Sequence, residues 1–251
     1  MNVRHCFAGV AIAAYIAAAP ASAQMASEPP AKIAVDAPLA ESLKLGRVVI
    51  QYRVQNLDIV PVFGTAALAI SPRIGHIHVI VDDLPWHLQD ASGEPVAITG
   101  LPPGPHKVSV QLESAAHHLL DQGSVSFVVP NTVEVHPADV QPPNAEPPAK
   151  IIIDPPSAEP LTRDVIIVNY RVGNMQIAPV FGNAALAVVP RLGHVQVTVD
   201  HYPWRWEYAS GEPVSLVGLA PGPHKILIQL VDPNDQPIDQ GTVSFTVPKN
   251  R

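Results

Sequence analysis

Two histidines spaced two residues apart are the sharpest chemical feature of this chain. They stand in Gly75-His76-Ile77-His78-Val79-Ile80-Val81-Asp82, where Ile77, Val79 and Val81 alternate with His76, His78, Ile80 and Asp82. A period of two is the signature of a strand, which puts both imidazoles on one face about 6.5 Å apart. The apolar set belongs in the core, so the histidines are expected to point away from it. Neutral imidazoles at that spacing can share one Cu or Zn ion. A third ligand must come from elsewhere. If 76–82 pairs antiparallel with the alternating strand Lys107–Leu112, the end of one lies beside the start of the other. His117 and His118 then approach His76, while His106 falls at the opposite end near Asp82, Trp86 and His87. The expected metal set is His76, His78 and His117. Its affinity should fall from pH 7.5 toward 5.5, because the ordinary imidazole pKa is about 6.5 and protons displace the metal. A solvated polar strand face is the alternative.

The stretch is written twice. Gly193-His194-Val195-Gln196-Val197-Thr198-Val199-Asp200 repeats it, Trp86 falls on Trp204 (204 − 86 = 118), and the same offset maps Tyr52 onto Tyr170 and Phe127 onto Phe245. The second copy keeps His194 but places Gln196, Asp235 and Gln236 where His78, His117 and His118 stand, so metal binding is expected of the first copy. Both copies keep His76/His194, Asp82/Asp200, Trp86/Trp204, Glu94/Glu212 and His106/His224. Tryptophan beside histidine and carboxylates suits a sugar or peptide groove. Trp86, His106, Trp204, Trp206 and His224 therefore form a second candidate set, for a glycan or a protein partner. The structural alternative is that Pro-Gly-Pro-His is a turn whose imidazole caps a loop carbonyl, and that the tryptophans close the end of a sandwich. No nucleophile elbow, zinc-protease helix motif or phosphate-cradling loop is present, so the protein is read as non-catalytic.

The elements that must carry these residues are short. Lys32–Val35 and Lys150–Ile153 begin the copies. Arg47–Gln55 reads as one half-buried strand, with Val48, Ile50, Tyr52 and Val54 inward and Arg47, Gln51, Arg53 and Gln55 outward. Ala66–Ile70 is a short strand or one helical turn ending before Pro72. Val96–Thr99, Lys107–Leu112 and Ser124–Val129 are strands, and Gly104, held between Pro103 and Pro105, needs positive φ. Six or seven such strands per copy, without a helical period, imply an all-β fold of two tandem antiparallel β-sandwich domains. The copies are placed at 31–130 and 149–248, each with its own core, joined by a proline-rich linker over 131–148.

Met1 to Ala23 has a positive start at Arg4, an apolar run from Cys6 to Ala19 and a small-residue ending, as a cleaved signal peptide does. The protein is expected in the periplasm or secreted. Cleavage removes the one cysteine, which excludes disulfides, and takes the formal charge from −7 to −8 because Arg4 leaves without an acid. An acidic chain without a basic run argues against nucleic acid, and no later segment is apolar enough to span a bilayer. The Pro-Gly-Pro-His turn, the alternating strand after it and the final Val-x-Phe-x-Val strand resemble the closing strands of bacterial immunoglobulin-like domains. Gly-His-x-His-x-x-x-Asp is similar to motifs of uncharacterised exported bacterial families. The resemblance implies an immunoglobulin-like fold and an envelope address, and the partner is expected to be a small ligand, a metal ion or an envelope component.

Overall fold

The computed structural model describes residues 29–69, 71, 73–131, 147–158, 165–188 and 191–249. The expected signal peptide and most of the proline-rich linker lie outside these residues. The first copy runs β1 (Lys32–Val35), α1 (Ala40–Lys44), β2 (Arg47–Ile50), β3 (Tyr52–Gln55), β4 (Asp58–Ile59), α2 (Thr65–Leu68), β5 (Ile74–Val81), β6 (His87–Asp90), β7 (Val96–Thr99), β8 (Gly104–Ser114) and β9 (Leu119–Val129). The second runs β10 (Lys150–Ile153), β11 (Val165–Val168), β12 (Tyr170–Gly173), β13 (Gln176–Ile177), α3 (Asn183–Leu186), β14 (Leu192–Val199), β15 (Arg205–Tyr208), β16 (Val214–Val217), β17 (Gly222–Val231) and β18 (Pro237–Val247). The fold is nearly all β and its sheets are antiparallel, apart from the two-residue strands β4 and β13, which run parallel to β5 and β14.

Alternation places the core as expected. Ile77, Val79 and Val81 on β5 and Val108, Val110 and Leu112 on β8 are buried, and the two strands pair antiparallel with Ile77 opposite Leu112. Gly104 has φ of 132° where the turn enters β8, a region that glycine occupies without steric cost.

The expectation that each copy owns its core is corrected. One sheet has the order β11-β16-β6-β5-β8-β9 and the other β18-β17-β14-β15-β7-β2. In each, four strands come from one copy and two from the other. Leu216 pairs with Leu88 across one junction and Trp206 with Ile98 across the other. Arg47–Gln55 is likewise two strands. It breaks at Gln51, so that β2 pairs with β7 at the edge of the large sheet while β3 pairs with β1. The tryptophans close the middle of this arrangement. Trp86 and Trp204 stack at 5.5 Å with 12° between planes, and Trp206 meets Trp204 edge-on at 5.1 Å.

Around the same junction, burial raises the carboxyls of Asp90 and Glu212, the latter to about 7 with further repulsion from Asp90 and Glu94. A carboxyl whose folded pKa lies above its unfolded value adds stability below the unfolded value and loses it as pH rises through 7. Glu212→Gln should therefore stabilise the protein at pH 8 by about 1–2 kcal/mol, discounted for partial exposure, and change little at pH 4. Urea unfolding at both pH values measures this. Equal effects at the two pH values count against it.

Candidate metal centre

Strand β5 carries His76 and His78 on the face opposite Ile77 and Val79. Directly across from His76 stands Glu113 on β8, where the β8–β9 pairing slips between Leu112 and Glu113. His117 follows in the tight connection to β9, with φ of 60°. The antiparallel pairing therefore brings His76, His78 and His117 together, and one donor atom from each lies within 4.8 Å of the others and of a Glu113 oxygen. Nε2 of His76 and Nε2 of His78 are 3.0 Å apart, Nε2 of His78 is 3.4 Å from Oε2 of Glu113, and Nδ1 of His117 is 3.5 Å from the same oxygen. Glu113 lies one residue past the regular alternation that ends at Leu112, so no period in the sequence marks it, whereas β8 runs on to Ser114.

The histidines are not on an open face, which corrects the expectation. His76 is 0% and His78 4% exposed, while His117 remains at the surface. Phe63 covers His76 and His117, its ring edge-on to the first at 5.0 Å and stacked on the second at 6.4 Å. Its loop is tied down by the Gly64 amide, which donates to the carbonyl of Ala115 at 2.7 Å. Burial pushes the His76 imidazole down to about 3, with repulsion from His117 adding to it. Burial does the same to His78, to about 3, against an opposing pull from Glu113. Glu113 is itself raised by burial, but the His117 hydrogen bond and the surrounding imidazoles outweigh this and hold it below the ordinary carboxylate value. Two buried imidazoles held neutral and a carboxylate held ionised are in the protonation state a metal requires of them.

His87 also belongs here, not beside His106 as expected. Strand β6 returns antiparallel along β5, and Nε2 of His87 meets Nδ1 of His78 at 2.8 Å. This contact on the far nitrogen orients the His78 ring and leaves its Nε2 aimed at the cluster. His118 contributes its backbone amide to Ser114 Oγ at 3.2 Å and stays outside the cluster.

The corresponding place in the second copy is built differently. His194 Nε2 and Gln196 Nε2 each lie 3.0 Å from Asp235 Oδ1. Glu207 joins them, and Arg47 of the first copy reaches in across the strand exchange. Arg47 was expected on a solvent face, yet it is 8% exposed, because β2 completes the second copy's sheet.

The second candidate set does not form a groove. Trp86 and Trp204 are each 5% exposed and Trp206 1%, packed on one another and on Tyr202, so their faces are covered by protein. His106 Nδ1 meets Asp82 at 2.7 Å and its Nε2 meets the Pro102 carbonyl at 2.7 Å. His224 repeats this with Asp200 at 2.8 Å and the Ala220 carbonyl at 2.7 Å. Both ring nitrogens of each histidine thus hold a turn, as the structural alternative expects.

Fold and site together define a duplicated all-β protein whose copies share strands and of which one carries a histidine-rich cluster. The chain belongs to a family of unknown function, DUF6130, which matches it twice in tandem, over residues 2–136 and 132–251. No curated protein matches the chain. No helix among the described residues is long and apolar enough to cross a membrane.

Proposed function

We propose that this protein is an exported, non-catalytic metal-binding protein that holds one Cu²⁺ or Zn²⁺ ion at His76, His78, Glu113 and His117. The observation that carries the reading is the convergence of two buried imidazole nitrogens, 3.0 Å apart, on a point shared with a Glu113 oxygen. A neutral pair can close this distance with one N–H···N hydrogen bond, whereas a shared ion would use a lone pair from each ring together with the carboxylate. Three nitrogens and one carboxylate oxygen supply the four donors that Zn²⁺ takes, and Cu²⁺ is served by the same imidazoles. His87 would orient His78 from behind, and Phe63 would shield the ion from water while exposed His117 marks the way in.

Titrating the full chain with Zn²⁺ and with Cu²⁺ by calorimetry tests this. His78→Gln and Glu113→Gln should each weaken binding at least tenfold, about 1.4 kcal/mol. His106→Gln, at the other end of the sheet, should leave affinity unchanged. The expected pH response also moves. With His76 and His78 pushed down to about 3, protonation of these two rings should displace metal only below about pH 4. Equal losses in His78→Gln and His106→Gln, or no saturable binding by either metal, would refute the site.

A further inference from the structure

We infer that Arg47 is a tethered cation that closes the second copy's cluster to metal, so that the duplicated protein carries one ion and not two. The count of one rests on the proposed metal reading of the first cluster, whereas the closure of the second does not. His194, Glu207 and Asp235 place their donor atoms within 4.8 Å of one another, as the first cluster does. Here, however, the space between the acids is taken. Nε of Arg47 donates to both oxygens of Glu207, at 3.0 and 2.9 Å, and its terminal nitrogen pairs with Asp235. The guanidinium also lies over the ring of Phe181, 4.1 Å from its centre. Phe181 is the residue that corresponds to Phe63 over the first cluster.

The chemistry makes the two occupants exclusive. A metal ion bound by these acids must sit about 2.0–2.2 Å from oxygens that now face the guanidinium. Arginine cannot lose its proton to make room. Its side chain is 10% exposed, so displacing it would leave a buried charge beside a dication. In the first copy the residue in the place of Arg47 is Val165, short and uncharged, and the contacts of Glu113 are to His78 and His117. One carboxylate without an arginine invites an external cation, while two carboxylates with one have theirs already.

The arrangement depends on the exchange of strands. Arg47 reaches Glu207 because β2 and β7 of the first copy extend the second copy's sheet, with Arg47 opposite Thr99 and Thr99 opposite Arg205. The same ion contacts thus hold the exchanged strands in place and remove one metal site.

Native mass spectrometry with Zn²⁺ on the full chain tests the inference. The wild type should hold one ion. Arg47→Met keeps the aliphatic stem over Phe181 and removes the charge, and it should hold two, the second lost again on adding Asp235→Asn. Reciprocally, Val165→Arg should weaken first-cluster binding at least tenfold with an unchanged near-ultraviolet dichroism spectrum. A wild type holding two ions, one of them sensitive to Asp235→Asn, overturns the closure. So does a folded Arg47→Met variant with no ion gained. Should that variant fail to fold, unchanged affinity in Val165→Arg overturns it instead. A wild type without metal and an Arg47→Met variant with one ion would sink the proposed function and leave the closure standing.

Discussion

Residues 29–131 expressed alone should not fold to a monomer. The first copy's own strands β5, β6, β8 and β9 form two thirds of the main path of one sheet, and its β2 and β7 finish the other. Without the second copy, β6 loses its partner β16, β7 loses β15, and Trp86 loses the indole it stacks on. Ile98 and Leu88, both buried at these junctions, would meet water. Burying each such side chain is worth about 1.5–3 kcal/mol, and a domain's whole margin is about 5–15 kcal/mol. The fragment's way out is to exchange the same strands with a second fragment, Trp86 against its counterpart, in an isologous dimer. Sedimentation should show twice the fragment mass, and the unfolding midpoint should rise with concentration. A monomer with a cooperative transition independent of concentration would mean that the segment 91–95 can turn β7 back onto its own β6.

The exchange was hidden from the sequence for a physical reason. Val96–Thr99 reads as a strand in either arrangement, because all four residues are buried and alternation states a face, not a neighbour. Two copies with nearly the same pattern offer β6 two equivalent partners, and only the geometry of the loop after Asp90 chooses between them. What depended on local alternation and antiparallel pairing was legible. The all-β fold, the β5–β8 pair, and the approach of His117 to His76 with His106 at the far end all follow from it. What depended on cover was not. His76 and His78 alternate out of one core as expected, but Phe63 lies over His76 from a loop that has no period to read. Glu113 was one residue past the regular alternation, where β8 bulges. Arg47 sat on the outward face of its strand as read, and that face turned out to border the other copy.

Gly75→Ala should be the most damaging small substitution in the first copy. A Cβ at Gly75 would lie 2.0 Å from the carbonyl oxygen of Glu113 and 2.9 Å from Cδ2 of Leu57. The first neighbour is backbone, so no side-chain rotation relieves it, and β5 and β8 must separate. The separation falls between Gly75 and Ser114, beside the pairing of His76 with Glu113. It also disturbs the Gly75 carbonyl, which accepts the Val60 amide at 3.0 Å. A loss of about 3 kcal/mol is expected, at the upper end for overpacking. Because Glu113 moves with its strand, Zn²⁺ affinity should fall at least tenfold in the same variant. Gly193→Ala supplies the control. Its Cβ would meet the Val231 carbonyl oxygen at 2.3 Å, an equivalent clash, but Val231 has no ligand atom to displace. Urea unfolding should therefore show similar losses for the two variants, with metal affinity lost only for Gly75→Ala. A Gly75→Ala protein within 0.5 kcal/mol of the wild type would show that β5 and β8 do not approach this closely. Loss of metal in both variants would instead tie binding to general destabilisation and not to the position of Glu113.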